Sequence, residues 1–153
     1  GGFTKESQMF KSIAMSNFGK GPYIKAILMA RAPILAVMKS SYFMELSKKS
    51  KLPRTFTERY GTTPDKFFVV APQLKAKYGE KFNEIPWEAV GLYTYLNERI
   101  KVGLMQLMAG ARKWKLELLD RNNLVTLTER ASKVTGIPLV EEAEEEAIER
   151  ILS

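Results

Sequence analysis

Apolar residues recur at spacings of three and four along nearly the whole chain, which is the pattern of amphipathic α-helices. No stretch of useful length alternates apolar and polar positions as a half-buried strand would. The pattern therefore predicts an all-α protein. We expect a C-terminal helical bundle preceded by an extended, bent N-terminal helical arm.

The N-terminal part of the pattern predicts two helices separated by a sharp break. Thr4 is a plausible N-cap for a helix that ends near Phe18, and Gly19–Pro22 interrupts the periodicity. A second helix is expected over Pro22–Ser47. Pro33 falls inside it, and proline removes a backbone donor and clashes with the preceding turn, so we expect a bend there.

The remainder of the chain predicts an irregular connector followed by shorter helices. Residues 48–64 interrupt the apolar periodicity and are dense in basic residues, so we expect a connector there. Proline and glycine residues then mark helix starts and stops. The helices expected beyond the connector are Pro64–Gly79 (disturbed at Pro72), Pro86–Met108, Lys113–Asp120, Leu124–Thr135 and one from Pro138 to the C-terminus.

The last of these helices combines an apolar stripe with a run of glutamates. Val140, Ala143 or Ala147, Ile148 and Ile151 share one face, which we expect to be buried. Glutamates between residues 141 and 149 occupy most of the remaining positions. They are typical of a solvated helix face, and an acidic contact surface for a basic neighbouring subunit is the alternative.

Composition excludes several kinds of chemistry. The chain has no Cys and no His, which removes thiolate nucleophiles, the commonest general base and the commonest metal ligand. Its only dense carboxylate cluster lies on a single helix, whereas hydrolytic sites use carboxylates that converge from several elements. We expect a protein that is not an enzyme and that uses no cofactor and no metal.

Charge divides the chain into a basic and a mildly acidic part. Residues 1–81 carry 15 Lys and Arg against 5 Asp and Glu, whereas residues 82–153 carry 9 against 12. Such asymmetry indicates that one part meets a polyanion and the other does not. We therefore predict a basic DNA-wrapping arm and connector over residues 1–66 and a helical bundle domain over residues 67–153.

The candidate nucleic-acid-binding side chains are the basic residues of that arm. Lys and Arg on helices, without a cluster that reads base edges, suit contact with phosphates. A solvated Lys face on an amphipathic bundle helix is the alternative, and the basic connector beside these helices favours nucleic acid. The ten candidates are Lys11, Lys20, Lys25, Arg31, Lys39, Lys48, Lys49, Lys51, Arg54 and Arg59.

The apolar stretch from Tyr23 to Leu46 leaves a membrane alternative open. Four charged residues interrupt this stretch, which favours a buried or interfacial helix over a membrane span. Its apolar side chains are too numerous for a solitary helix in water, so the arm is expected to pair with another subunit. Liposome binding compared with duplex DNA binding would distinguish a membrane-surface protein from a DNA-binding protein.

The segment Pro53-Arg54-Thr55-Phe56-Thr57-Glu58-Arg59-Tyr60-Gly61 resembles one near the start of the major capsid proteins of archaeal rod-shaped and filamentous viruses, the rudiviruses and lipothrixviruses. The match covers under about ten residues. A basic helical arm before a compact helical bundle is a further similarity. One departure is that about fifty residues precede the motif here, which fits the enveloped filamentous relatives better than the rod-shaped ones, or fits a diverged paralogue.

The resemblance implies a structural virion protein whose arm wraps double-stranded DNA, in A-form, within a helical filamentous nucleocapsid. It implies Arg54 and Arg59 as DNA contacts and Phe56 and Tyr60 as anchors of the segment. The implied partners are double-stranded DNA, a second copy or a paralogous coat subunit forming a dimer, and an envelope lipid in the filamentous relatives. The implied location is the virion, assembled in the host cytoplasm. A cellular architectural, chromatin-type DNA-binding protein is the nearest alternative.

Overall fold

Helices make up the regular structure of this protein. The computed structural model describes residues 1–152, except for the side chains of Glu146, Ala147 and Arg150. Within that range there is no β-strand, and only two isolated bridges occur, Asn17 with Pro22 and Thr126 with Leu139. The predicted all-α class is confirmed.

The helices vary from one turn to five turns in length. A π-helical segment covers Tyr95–Val102, and 3₁₀ segments cover Gly79–Glu84, Leu116–Leu118 and Arg121–Asn123. The α-helices are α1 (Glu6–Met15), α2 (Arg31–Lys48), α3 (Arg54–Tyr60), α4 (Pro64–Phe67), α5 (Ala71–Tyr78), α6 (Trp87–Thr94), α7 (Gly103–Gly110), α8 (Glu129–Thr135) and α9 (Val140–Leu152).

Two compact units emerge from the packing of these elements. The first unit comprises Gly1–Glu6 and Leu28–Gly103. The second unit comprises Ser7–Ile27 and the described residues from Leu104 onward. This division does not follow the expected boundary between residues 66 and 67, because residues 28–66 belong to the same compact unit as α5 and α6. The functional division into arm and bundle stays a prediction.

An aromatic and aliphatic core holds the first unit together. Its buried side chains are contributed by the segment from Phe68 to Val90, and half-buried Met44 of α2 packs against them. Pro72 lies in the first turn of α5, where its missing N–H has no intrahelical acceptor to lose. The buried members of this core are Phe68, Val70, Ala71, Leu74, Phe82 and Val90.

A glycine permits the close approach of α2 and α6 in this unit. A Cβ placed on Gly91 of α6 would lie 1.7 Å from the hydroxyl oxygen and 2.7 Å from the Cβ of Ser40 on α2. Ser40 is buried, and its hydroxyl donates to the carbonyl of Ala36 at 2.7 Å. The absence of a side chain at position 91 therefore allows the two backbones to come together.

A smaller core and one buried asparagine organise the second unit. Phe10, Ile13 and Ala14 of α1 pack with Leu119, which is fully buried. Asn17 donates to the carbonyl of Leu119 at 2.8 Å, and its own side-chain oxygen accepts from two N–H groups of the following loop. The side chain of Asn17 thus fixes the loop that follows α1.

The expected bend at Pro33 is wrong, because the helix predicted from Pro22 has no helical turn ahead of this residue. Residues 24–30 are irregular, and α2 begins at Arg31, so Pro33 lies in its first turn. A proline is tolerated there because the first N–H groups of a helix have no intrahelical partner. Upstream, Ser16 accepts the N–H groups of Tyr23 and Ile24 and ties this stretch to the end of α1.

Other expected boundaries are corrected by local hydrogen bonding. The predicted connector contains a helix, α3, while the helix predicted over Lys113–Asp120 is only a 3₁₀ turn at Leu116–Leu118. Arg112 adopts a left-handed conformation, with φ of 54°, and the Lys113 N–H returns to the Met108 carbonyl, which ends α7. The helix predicted from Leu124 begins at Glu129, because the Thr128 hydroxyl caps its N-terminus.

The expected burial of the α9 apolar face is wrong for its C-terminal half. Val140 and Ala143 are half-buried, but Ile148 and Ile151 are 55% and 83% exposed. The side chain of Ala147, the remaining residue of the predicted face, lies outside the described part. The second unit therefore leaves a strongly amphipathic helix largely uncovered.

Candidate nucleic-acid interface

All ten basic candidates have exposed side chains. Three of them, Lys11, Lys20 and Lys25, belong to the second unit. The other seven belong to the first unit, where they lie on α2, on the turn that follows it and on α3. The densest group, which we call the basic connector, consists of Lys48, Lys49, Lys51, Arg54 and Arg59.

The end of α2 positions the first half of the basic connector. Ser50 adopts a left-handed conformation, with φ of 51°, and the Lys51 N–H returns to the Leu46 carbonyl at 2.8 Å. The Ser47 hydroxyl donates to the Thr62 carbonyl at 2.9 Å, which ties the end of α2 to the segment after α3. These bonds hold the lysines on a defined turn.

Aromatic stacking positions the second half of the basic connector. The ring of Phe56 on α3 stacks on Phe43 of α2 with centroids 4.6 Å apart and planes at 15°. It also meets Phe67 at 5.6 Å and Tyr60 at 5.1 Å. The anchoring expected of Phe56 is confirmed, because these contacts join α3 to the core of the first unit. Tyr60 is 42% exposed and lies at the edge of this ring cluster.

Arg54 and Arg59 have different surroundings on α3. Arg54 Nε lies 2.8 Å from Glu58 Oε1, one turn later, and both side chains are largely exposed. The Arg59 guanidinium lies 5.2 Å from the centroid of the Tyr60 ring. An exposed ion pair at this spacing stabilises a helix by only about 0.3–0.5 kcal/mol, so a phosphate can compete with Glu58 for Arg54.

The loop at Gly19–Pro22 is a helix break, as predicted, but not an anion cradle. The backbone N–H groups of Gly19 and Gly21 both donate to the side-chain oxygen of Asn17, at 2.9 and 3.1 Å. Lys25 Nζ donates to the Pro22 carbonyl at 2.6 Å. A phosphate at this loop would therefore meet lysine side chains and not the N–H groups of Gly19 and Gly21.

A polar cluster that the sequence did not predict links Thr4 and Glu6 to the π-helical segment. Tyr95 donates its hydroxyl hydrogen to the Thr4 carbonyl at 2.9 Å, and Arg99 Nε lies 3.1 Å from Glu6 Oε2. Burial raises the pKa of Tyr95 above its ordinary value of 10.0, which the Arg99 guanidinium opposes and the Glu6 carboxylate reinforces. Folding therefore favours the neutral phenol, and this contribution to stability is lost only as the pH rises past about 10. The partners are some 90 residues apart in sequence, and no local pattern signals such pairing.

An apolar groove on the first unit is a second feature without a local sequence signal. It has a volume of about 660 Å³ and is lined mainly by α2, with Thr4 and Tyr95 at its sides. Arg31 and Lys39 also line it. We call this surface the α2 groove.

The described residues carry no arrangement typical of a metal site or a membrane span. Among the described side chains, which leave out Glu146, no group of three or more Asp or Glu is arranged to hold a metal ion. None of the helices over residues 1–152 is long and apolar enough to cross a bilayer.

Comparison of this chain with protein-family models, curated proteins and solved structures finds no match. The resemblance to archaeal viral capsid proteins therefore rests on the Pro53–Gly61 motif and on the layout of the chain.

Proposed function

We propose that this protein is a structural virion subunit that coats double-stranded DNA and assembles with other copies into a helical filament. The observation that carries the proposal is the basic connector. Five basic side chains within twelve residues are exposed on a turn and a helix that stacked rings attach to a folded unit. Such a surface suits phosphates, which are the same at every sequence.

The proposal places the filament subunit in the nucleocapsid, with DNA as its partner and no catalytic role. The A-form of the DNA and the pairing with a paralogous subunit come from the resemblance alone. A cellular architectural protein would bind phosphates in the same way. Electron microscopy of the protein mixed with duplex DNA separates the two, because a coat subunit forms filaments of uniform diameter.

Binding to duplex DNA should be insensitive to sequence and steeply dependent on salt. If most of the ten candidate residues meet phosphates, the log–log slope of affinity against salt is on the order of −5 to −9. Fluorescence anisotropy with two unrelated duplexes across a salt series measures both properties. An affinity that is flat between low and moderate salt would contradict the proposal.

Arginine geometry at the motif provides a finer test. Arg54→Lys combined with Arg59→Lys keeps the charge but removes the paired N–H donors that a guanidinium offers to one phosphate. We expect an unchanged salt slope, weaker binding and less ordered filaments. Arg130→Lys, at an exposed position of the second unit, is the matched control and should behave as the parent. If the double variant also binds and assembles as the parent does, these two arginines are surface residues only.

A membrane surface is the second candidate, favoured by one observation. Ile34, Leu35 and Met38 of α2 are between 50% and 62% exposed, with Arg31 and Lys39 nearby. Apolar side chains flanked by basic ones suit an anionic bilayer. Flotation with anionic vesicles, in the buffer used for DNA binding, tests this candidate.

A further inference from the structure

The α2 groove is an apolar surface that nothing within the first unit covers. Ile34, Leu35 and Met38 line it from the outward face of α2, and Tyr42 continues the same face one turn later. At about 1.5 Å per residue, the 18 residues of α2 extend for roughly 27 Å.

The second uncovered apolar surface is the C-terminal half of α9. Ile148, Ile151 and Leu152 are 55%, 83% and 81% exposed. At about 1.5 Å per residue, the 13 residues of α9 extend for roughly 20 Å, so the helix can lie lengthwise along α2. Exposed apolar surface on two helices of compatible length indicates a helix-against-helix contact.

Charge selects which of these surfaces pair. The part of α2 ahead of the basic connector, residues 31–47, carries two basic residues and one glutamate, a net charge of +1, whereas residues 140–152 carry six glutamates and one arginine, a net of −5. Pairing α9 with a second α9, or α2 with a second α2, brings like charges together. Pairing α9 with α2 brings opposite charges together, which favours that partner and fixes its orientation.

We propose that α9 of one copy docks in the α2 groove of another copy. Its apolar side chains cover Leu35 and Met38, while its glutamates face Arg31 and Lys39, which leaves the other eight basic candidates for DNA. The contact is head-to-tail, because each copy presents its groove to one neighbour and its helix to another. A contact of this kind leaves a surface open at each end and generates a ring or an open filament.

This proposal names the contact between subunits of the proposed filament, and it rests on that proposed function. The contact needs no DNA, however, and the test is made without it. Leu35→Gln with Met38→Gln gives a groove variant, and Ile148→Gln with Ile151→Gln gives a helix variant. All four positions are exposed, and none of the four substitutions changes the charge of the protein. Circular dichroism should therefore show that both variants fold.

Sedimentation velocity of the full chain should show concentration-dependent self-association that weakens with salt. The self-association of each variant alone should be weaker by at least about tenfold, since each variant loses one side of the contact. A mixture of the two variants should form a one-to-one complex and no larger species, because the groove is intact in one and the helix in the other. Leu127→Gln with Val134→Gln, at positions 82% and 79% exposed, is the control and should associate as the parent does.

Each other result overturns the proposal in a recognisable way. A groove variant that still self-associates fully would indicate α9 paired with α9, and a helix variant that does so would indicate α2 paired with α2. A parent chain that stays monomeric, but whose binding to anionic vesicles is lost in the groove variant, would make α2 a membrane surface. A parent that stays monomeric without binding vesicles excludes the contact.

DNA binding by the same variants separates this proposal from the proposed function. Both variants retain every basic candidate, so their affinity for a short duplex that holds one subunit should match that of the parent. A parent that self-associates as described but does not bind DNA would retain the contact and reject the coat function. A parent that binds DNA, but whose two variants still self-associate, would retain the coat function and reject the contact between α9 and the α2 groove.

Discussion

Neutralising the basic connector is expected to weaken duplex binding on the order of a thousandfold or more at about 0.1 M salt. The variant replaces Lys48, Lys49, Lys51, Arg54 and Arg59 with Gln. Each lost phosphate contact lowers the log–log salt slope by about 0.9, so the slope should become shallower by about 4 to 5. Fluorescence anisotropy across a salt series measures both quantities. The fold should persist, because all five side chains are exposed and the rings that attach α3 remain.

A charge-matched control separates local contact from overall charge. The parent has a net charge of +7, and replacing five exposed basic residues elsewhere with Gln gives the same net charge of +2 as the connector variant. Equal losses in the two variants would show that overall charge, and not the basic connector, governs binding. The control positions are Lys77, Lys81, Lys101, Lys115 and Arg130.

Gly91→Ala is expected to lower the free energy of unfolding by about 1–3 kcal/mol, because overpacking of a tight contact forces the backbones apart. The new methyl group would lie 2.7 Å from the Ser40 Cβ and 3.1 Å from a ring carbon of Phe68. A loss of this size corresponds to a melting temperature lower by about 3–10 °C. Thermal unfolding followed by circular dichroism measures it.

The control for this substitution is another helical glycine. Gly110 ends α7, and a Cβ at this position meets no atom within 4 Å. Gly110→Ala should therefore change stability by no more than about 0.5–1 kcal/mol, in the stabilising direction. Combining Gly91→Ala with Ser40→Gly should recover part of the loss, because the facing Cβ and hydroxyl are removed. If stability is not recovered, the loss caused by Gly91→Ala does not arise at the α2–α6 contact.

Helix content was predictable from the sequence because apolar spacing and glycine or proline punctuation are local signals. The helix predicted over Pro86–Met108 and the end at Gly136 illustrate this, since α6, the π-helical segment and α7 cover Trp87–Gly110 and Gly136 adopts φ of 65° after α8. The π-helical character of Tyr95–Val102 was not predicted, because the apolar spacing of three and four was read as α-helix and π-helices are rare.

Some element boundaries could not be predicted from the sequence pattern. Pro33 suits both a bend inside a helix and a helix start, and the sequence pattern does not distinguish the two. The helical nature of α3 follows in part from the stacking of Phe56 on Phe43, which lie 13 residues apart. The charges of the connector alone do not indicate this stacking contact.

The candidate interface was predictable in its residues but not in its arrangement. Density of charge identified the basic connector, and all ten candidate side chains are exposed. The ion pair between Arg54 and Glu58 was foreseeable from their spacing of four residues, whereas the α2 groove was not, because Thr4 and Tyr95 join it from distant positions. Whether these side chains bind DNA stays a prediction.

The ring cluster of the first unit also gives the molecule a built-in optical reporter. Trp87 stacks on Phe68 at 5.3 Å and meets Phe82 edge-on at 5.7 Å, whereas Trp114, the other of the two tryptophans, is 77% exposed and belongs to the second unit. Indole emission shifts to the red when the ring becomes hydrated. Replacing Trp114 with Phe therefore leaves a fluorophore whose colour reports melting of the first unit alone, and separate melting of the two units becomes visible without any added label.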